Sequence, residues 1–295
     1  MLDNKKEVVL ALGFFDSVHL GHQEVIKKAK ELALKLNSKT VVATFKGNLK
    51  AFLFGEKEKT VYSLDEREVF INQLGVDDIF FAPVSKEFLS LTKKEFLDFL
   101  NEKYSVKGYV CGLDYRFGIN GEGCAKDIKE YASQNNQAFL TVDTFLINGK
   151  RVSTTLIKEH LKIGDIKGAN ALLGRSYSIT GKVFEDRKIG TALGFPTLNI
   201  KINSDKFLLK DGVYLGKVNL DNKEYLALIN YGARPTFNLN EKLIEAHLVG
   251  YSGNLYGQSV TLNFVDFMRD IVKFNNMEEL KNQLSLDLER AKEYD

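Results

Sequence analysis

Three small groups of side chains in this 295-residue chain have the types and spacing of reactive groups. His19 and His22 stand three residues apart where the apolar run VVLALG (8–13) passes through GFFDSVHLGHQEV into the amphipathic stretch QEVIKKAKELALKL (23–36). A helix N-terminus presents free N–H groups and the positive end of its dipole, so it attracts phosphate. Imidazoles placed there can donate hydrogen bonds to a triphosphate and steady the charge that builds on a phosphorus under attack. Spacing alone suits a helix cap or half a metal site equally well, but Asp16 ahead of the pair and Gly21 inside it favour the phosphate reading.

The second group lies in KIGTALGFPTLNI (188–200). Gly190 and Gly194 permit close backbone approach to phosphates, and Pro196 fixes the chain before Thr197. Thr197 and Asn199 alternate onto one strand face, and a hydroxyl with an amide oxygen suits a hard cation that keeps several waters, namely Mg2+. Taken by spacing alone, the same string is a hairpin entry with an exposed Thr and Asn. The third group is Glu245 with His247 in IEAHLVGY (244–251), on one strand face with Ala246 opposite. A carboxylate there can accept the proton of a hydroxyl attacking a γ-phosphoryl group. His247 reads as a packing histidine. No GxxxxGK[ST] string occurs, so a phosphate cradle must be built some other way.

The elements that must position these groups fall into two halves. From residue 7 to about 147, apolar runs (VVLALG, TVVATF, DIFFAPV, GYVCGL, AFLTVDTF) alternate with helical patterns, and Ser63 with Glu66 and Thr92 with Glu95 form capping boxes. Such alternation implies a Rossmann-like α/β unit with a parallel sheet covered on both faces. After about residue 175, six strand-like runs (177–184, 195–202, 212–220, 224–231, 243–251 and 259–267) follow one another with Gly, Asn and Asp turns between them. That spacing leaves no room for crossover helices and predicts an antiparallel sheet or a small six-stranded barrel. Met277, Leu280, Leu284, Leu288 and Ala291 form a helical stripe expected to pack on it, and 152–174 reads as a helical connector.

Lys+Arg 41 against Asp+Glu 39 gives no electrostatic case for nucleic acid or a membrane surface. Cys111 and Cys124 form no CxxC pair, which speaks against a disulfide framework or structural zinc. No signal-type h-region and no run of about 18 apolar residues is present, so the chain reads as cytoplasmic. The sequence leaves the oligomeric state open.

The string GFFDSVHLGHQ resembles the GxFDGxHxGH signature of nucleotidyltransferases, in particular the N-terminal module of bacterial bifunctional riboflavin kinase/FAD synthetases. The likeness continues through 74–100 and CGLDYRFGINGEG (111–123), while LGFPTLN resembles the GxPTAN signature of riboflavin kinases. The resemblance implies a nucleotidyltransferase domain over 1–160 and a riboflavin kinase domain over 168–295, with ATP, riboflavin, FMN and FAD as substrates and products. In the first it implies catalytic His19 and His22, ATP contacts from Gly13, Phe15, Asp16, Gly21, Ser153, Thr154 and Lys158, and a flavin-side loop with Asp114 and Arg116. In the second it implies Glu245 as base, phosphate contacts at Gly190, Gly194 and Pro196, Mg2+ at Thr197 and Asn199, and Asn230 and Arg269 toward the flavin. A lone arginine before a C-terminal helix is also commonly a salt-bridge partner.

Three departures from the family pattern touch the first site: Ser17 in place of Gly, Lys46–Asn48 where a PHP-type segment is usual, and STTLIK where SSTxIR is usual. Leu156 occupies an arginine position and Lys158 another, and lysine is the poorer bidentate phosphate partner. They leave room for a kinase with a degenerate first domain. A third reading, from another class, is a non-enzymatic flavin- or nucleotide-responsive regulator.

Overall fold

The computed structural model describes residues 5–47, 49, 52, 59–185, 195–202, 205–233 and 242–294. Gly190, Gly194 and Asn48 lie outside them. The chain forms two compact units, Met1–Thr154 and Thr155–Asp295, with the division inside the segment read as a connector.

The first unit runs β1 (Glu7–Leu12), α1 (Leu20–Lys35), β2 (Lys39–Phe45), α2 (Leu64–Gln73), β3 (Asp78–Ala82), α3 (Lys86–Leu89), α4 (Lys93–Lys103), β4 (Ser105–Gly112), β5 (Arg116–Phe117), β6 (Gly123–Cys124), α5 (Ala125–Gln134), β7 (Ala138–Val142), β8 (Leu146–Ile147) and β9 (Lys150–Arg151). Its parallel sheet has the order β3-β2-β1-β4-β7. The apolar residues of β1 divide by parity: Val8, Leu10 and Leu12 enter one core with Leu97, Leu100 and Ile128, and Val9 and Ala11 enter the other with Ile26, Ala29 and Ile71. Burial on both faces is why this strand has no polar alternation. Both expected capping boxes form, at Ser63–Glu66 and Thr92–Glu95. The run read as 138–145 is shorter as a strand: β7 ends at Val142, and the chain then turns into the β8–β9 hairpin. Asn148 and Gly149, with φ of 50° and 73°, make that turn, as an Asn-Gly pair between short strands does.

The helices α6 (Thr154–Ile163) and α7 (Ile166–Leu173) lead to β10 (Tyr177–Phe184), β11 (Leu198–Lys201), β12 (Gly212–Leu220), β13 (Lys223–Ala233), β14 (Lys242–Leu248), β15 (Ser259–Arg269) and α8 (Met277–Lys292). These six strands close into a barrel in the order β10-β11-β14-β13-β12-β15. Tyr214, Tyr231, Ile229, Ile244, Ala246 and Phe264 are fully buried, and the Tyr214 ring meets those of Tyr231 and Phe264 edge-on. Val213, Leu215, Leu228 and Met268 form a separate cluster with Leu288 and Ala291 of α8. Met277, expected in that stripe, is instead 51% exposed: it is the first residue of α8, where the helix has just begun.

Candidate functional site

In an open parallel sheet, ligands collect outside the carboxyl ends of the strands where the strand order reverses. Here that point lies between β1 and β4, and a cavity of about 340 Å³ opens there. Segments from four strand ends line it: Gly13–Phe15 after β1, Phe45 on β2, Gly112–Arg116 after β4 and Val142–Phe145 after β7, joined by Arg151–Thr154.

His19 is the N-cap of α1, and its Nδ1 accepts the His22 backbone N–H at 3.2 Å. The two imidazoles stack at 3.7 Å between centroids with planes 10° apart, and Phe15 meets His22 edge-on at 5.2 Å. The pair is thereby fixed against the cavity. Gly21 lies beside it, where a Cβ would stand 3.1 Å from the His19 ring; at Gly13 a Cβ would be 2.7 Å from the Phe15 ring, so only glycine fits. Asp16, nearly wholly buried, does not line the cavity: its Oδ1 accepts the Val61 N–H at 2.9 Å and so braces the loop. Within that loop Phe15 has φ +50° and Val18 φ +44°. Left-handed backbone at non-glycine residues costs roughly 1–3 kcal/mol each and persists only where neighbours enforce it. Gln23 Nε2 donates to the Val18 carbonyl at 2.9 Å, and Thr44 Oγ1 to that of Phe14 at 2.7 Å.

Ser153 and Thr154 reach the cavity, and Thr154 Oγ1 shares a 3.0 Å hydrogen bond with Ser17, the residue standing where glycine is usual. Asp114 and the exposed Arg116 line it as well. Arg151 completes the lining and pairs with Asp114, a role that sequence reasoning missed. Asn148-Gly149 was the signal for the hairpin that carries it. Lys158 is not part of the lining; its Nζ lies 5.6 Å above the Phe207 ring in the second unit. Burial pushes the Cys111 thiol up to about 12, so this cysteine is inert.

In the barrel the candidate groups meet through strand register. Asn199 of β11 stands opposite Glu245 of β14, which stands opposite Asn230 of β13. Directly opposed residues share a face, so the three form one outward row. Asn230 Nδ2 donates to Glu245 Oε2 at 3.4 Å, Asn199 is 6% exposed and Ala246 points into the barrel. His247 Nδ1 lies 2.9 Å from the Pro196 carbonyl and its ring meets Phe195 edge-on, which ties β14 to the chain just before Thr197. Pro196 and Thr197 border a second cavity of about 370 Å³, lined also by Leu248 and Tyr251–Tyr256. Arg269 behaves as the salt-bridge partner: its Nε and Nη2 grip Asp287 of α8 at 2.9 and 2.6 Å. Asp287 is almost wholly buried, a polar residue in the middle of the helix stripe that periodicity did not anticipate.

The sheet unit thus sets a histidine pair at its switch point, and the barrel unit sets a carboxylate between two carboxamides on its outer face. Residues 2–156 match the family model for FAD synthetase and residues 173–295 that for riboflavin kinase. The bifunctional riboflavin kinase/FMN adenylyltransferase of Listeria monocytogenes is 33% identical over 282 residues, covering 95% of this chain and 90% of that one. That of Bacillus subtilis is 31% identical over 99% and 94%. A crystal structure described as a macrolide-efflux protein from Streptococcus pneumoniae superimposes with a TM-score of 0.89 at 29% identity, over 97% of this chain and 94% of that one. The chain belongs to the family of bifunctional riboflavin kinases/FMN adenylyltransferases. Among the described residues, no helix is long and apolar enough to cross a membrane.

Proposed function

We propose that this chain makes FMN in its barrel unit and FAD in its sheet unit, and that it does so in the cytoplasm. The observation that carries the reading is the opposed row Asn199–Glu245–Asn230, which sets a carboxylate between two carboxamides, with Thr197 two residues before Asn199 in the chain. In the kinase step the ribityl 5′-hydroxyl of riboflavin attacks the γ-phosphorus of ATP, the β–γ bond breaks and ADP leaves. Glu245 takes the hydroxyl proton. Thr197 and Asn199 offer hard oxygen donors that fit Mg2+, which when bound would neutralise charge on the nucleotide phosphates. Gly190, Gly194 and Pro196 would supply the phosphate contacts, with Asn230 on the flavin side.

In the sheet unit a phosphate oxygen of FMN attacks the α-phosphorus of ATP, the α–β bond breaks and pyrophosphate leaves. No covalent enzyme intermediate forms, so the residues act by positioning and charge stabilisation. His19 and His22 donate to the transferring phosphates; Gly13, Phe15, Gly21, Ser153 and Thr154 shape the ATP side, and Asp114 with Arg116 the flavin side. Arg151 adds a cation to the same lining.

Chromatography of reactions containing the purified protein, ATP and Mg2+ with either riboflavin or FMN tests the reading. FAD in both reactions is expected. FMN that accumulates without FAD would leave the kinase alone, and neither product would sink the proposal.

A further inference from the structure

Arg67 lines neither cavity, yet it is a charged side chain only 2% exposed. Burying a charge is costly unless fixed partners replace water. Its partners are specific. Nη1 donates to the Phe14 carbonyl at 3.2 Å, Nη2 donates to the Phe45 carbonyl at 3.1 Å, and the guanidinium carbon lies 5.6 Å over the Phe14 ring. Phe14 follows β1 and Phe45 ends β2, and both line the adenylyl-transfer cavity, whereas Arg67 does not. The fork therefore ties together two walls of the cavity from behind. Burial draws the Arg67 pKa down and the nearby Asp16 carboxylate draws it back up; an arginine in this setting stays charged. Thr44 Oγ1 donates to the same Phe14 carbonyl that Arg67 holds. The next residue is Phe15, with its positive φ, whose ring packs on His22.

We propose that Arg67 is a positioning residue for adenylyl transfer: it fixes the Phe14 and Phe45 carbonyls so that the strained loop holds Phe15 and the His19–His22 pair against the bound nucleotide. The inference rests on the adenylyl-transfer reading of the cavity. A buried arginine with a merely structural role would lower the stability of the unit and leave the turnover of folded molecules alone. A positioning role reaches the rate itself, since a displacement of about 1 Å at a reacting group can cost ~10²-fold.

The test uses the full chain and its variants Arg67→Met, Arg67→Lys and Thr44→Val, measuring FAD formation from FMN over a range of ATP concentrations. FMN formation in the same preparations serves as the internal control, and circular dichroism gives the folded fraction. Arg67→Met is expected to lower kcat for FAD formation about 30- to 100-fold per folded molecule, with FMN formation within about twofold. Arg67→Lys, which keeps the charge but reaches one carbonyl, should recover part of the loss. Arg67→Lys combined with Thr44→Val should depart from additivity, because both act on one carbonyl. If Arg67→Met fails to fold, the lysine and valine variants, which keep the volume nearly filled, decide the matter. Unchanged kcat and KM for ATP per folded molecule would overturn the proposal. Should the unaltered protein make no FAD, the adenylyl-transfer reading fails separately. Calorimetric titration with ATP then decides whether Arg67 holds this cavity in shape for a nucleotide: affinity at the sheet-unit site weakened about tenfold or more in Arg67→Met supports that role, and equal affinity refutes it.

Discussion

The two sites hold their groups in different ways. In the barrel, Asn199, Glu245 and Asn230 face one another because three antiparallel strands pair in step, and slipping one strand by a residue would turn its member of the row to the other face. In the sheet unit the site is assembled from four strand ends and the loops that follow them, one of which carries left-handed backbone at Phe15 and Val18. A site built by register is as durable as its sheet. A site built from loops needs separate braces, and Thr44, Gln23, Asp16 and Arg67 supply them.

Changes confined to one site should separate the two activities. Glu245→Gln removes the proton acceptor while keeping shape, and FMN formation should fall about 10³-fold, with FAD formation from supplied FMN unchanged; equal loss of both would dissolve the distinction. Asp287→Ala removes one side of the ion pair between Arg269, 20% exposed, and Asp287, 5% exposed. Breaking such a buried pair should cost the barrel about 3 kcal/mol, read by urea unfolding. An unchanged KM for riboflavin in the folded protein would confine Arg269 to this structural tie, and a raised one would return it to the flavin side. His22→Ala should lower FAD formation about 10²-fold, leaving FMN formation within about twofold; a matching loss of kinase activity would point to general misfolding. Ser63→Ala removes the N-cap of α2, and the sheet unit should lose about 1 kcal/mol in a melt, while FMN formation stays as before.

The same contrast governs what could be read in advance. Period-two alternation placed Glu245 opposite in sense to Ala246, and both capping boxes were evident from residue types three apart. The parallel sheet of the first unit and the antiparallel pairing of the second followed from whether helices or turns separate the apolar runs, whereas strand order and closure depend on pairings between distant runs. Arg151 and Arg67 escaped because their meaning depends on residues far along the chain: Asp114 for one, Phe14 and Phe45 for the other. Asp287 escaped for the same reason, since a helical stripe ranks an acidic residue as exposed until Arg269 is brought beside it. Strain at Val18 is likewise invisible locally, because a β-branched residue argues against the conformation it adopts.

Closure of the barrel has a consequence for how each unit resists self-association. Among the described residues every one of its six strands has a neighbour on each side, so the barrel has no outer strand to offer another chain. The parallel sheet ends at β3 and β7, and the outer strand β7 carries Leu140 with 41% of its surface exposed. When the protein is warmed or partly unfolded, strand-to-strand aggregation should therefore begin in the sheet unit, with β7 as the first template.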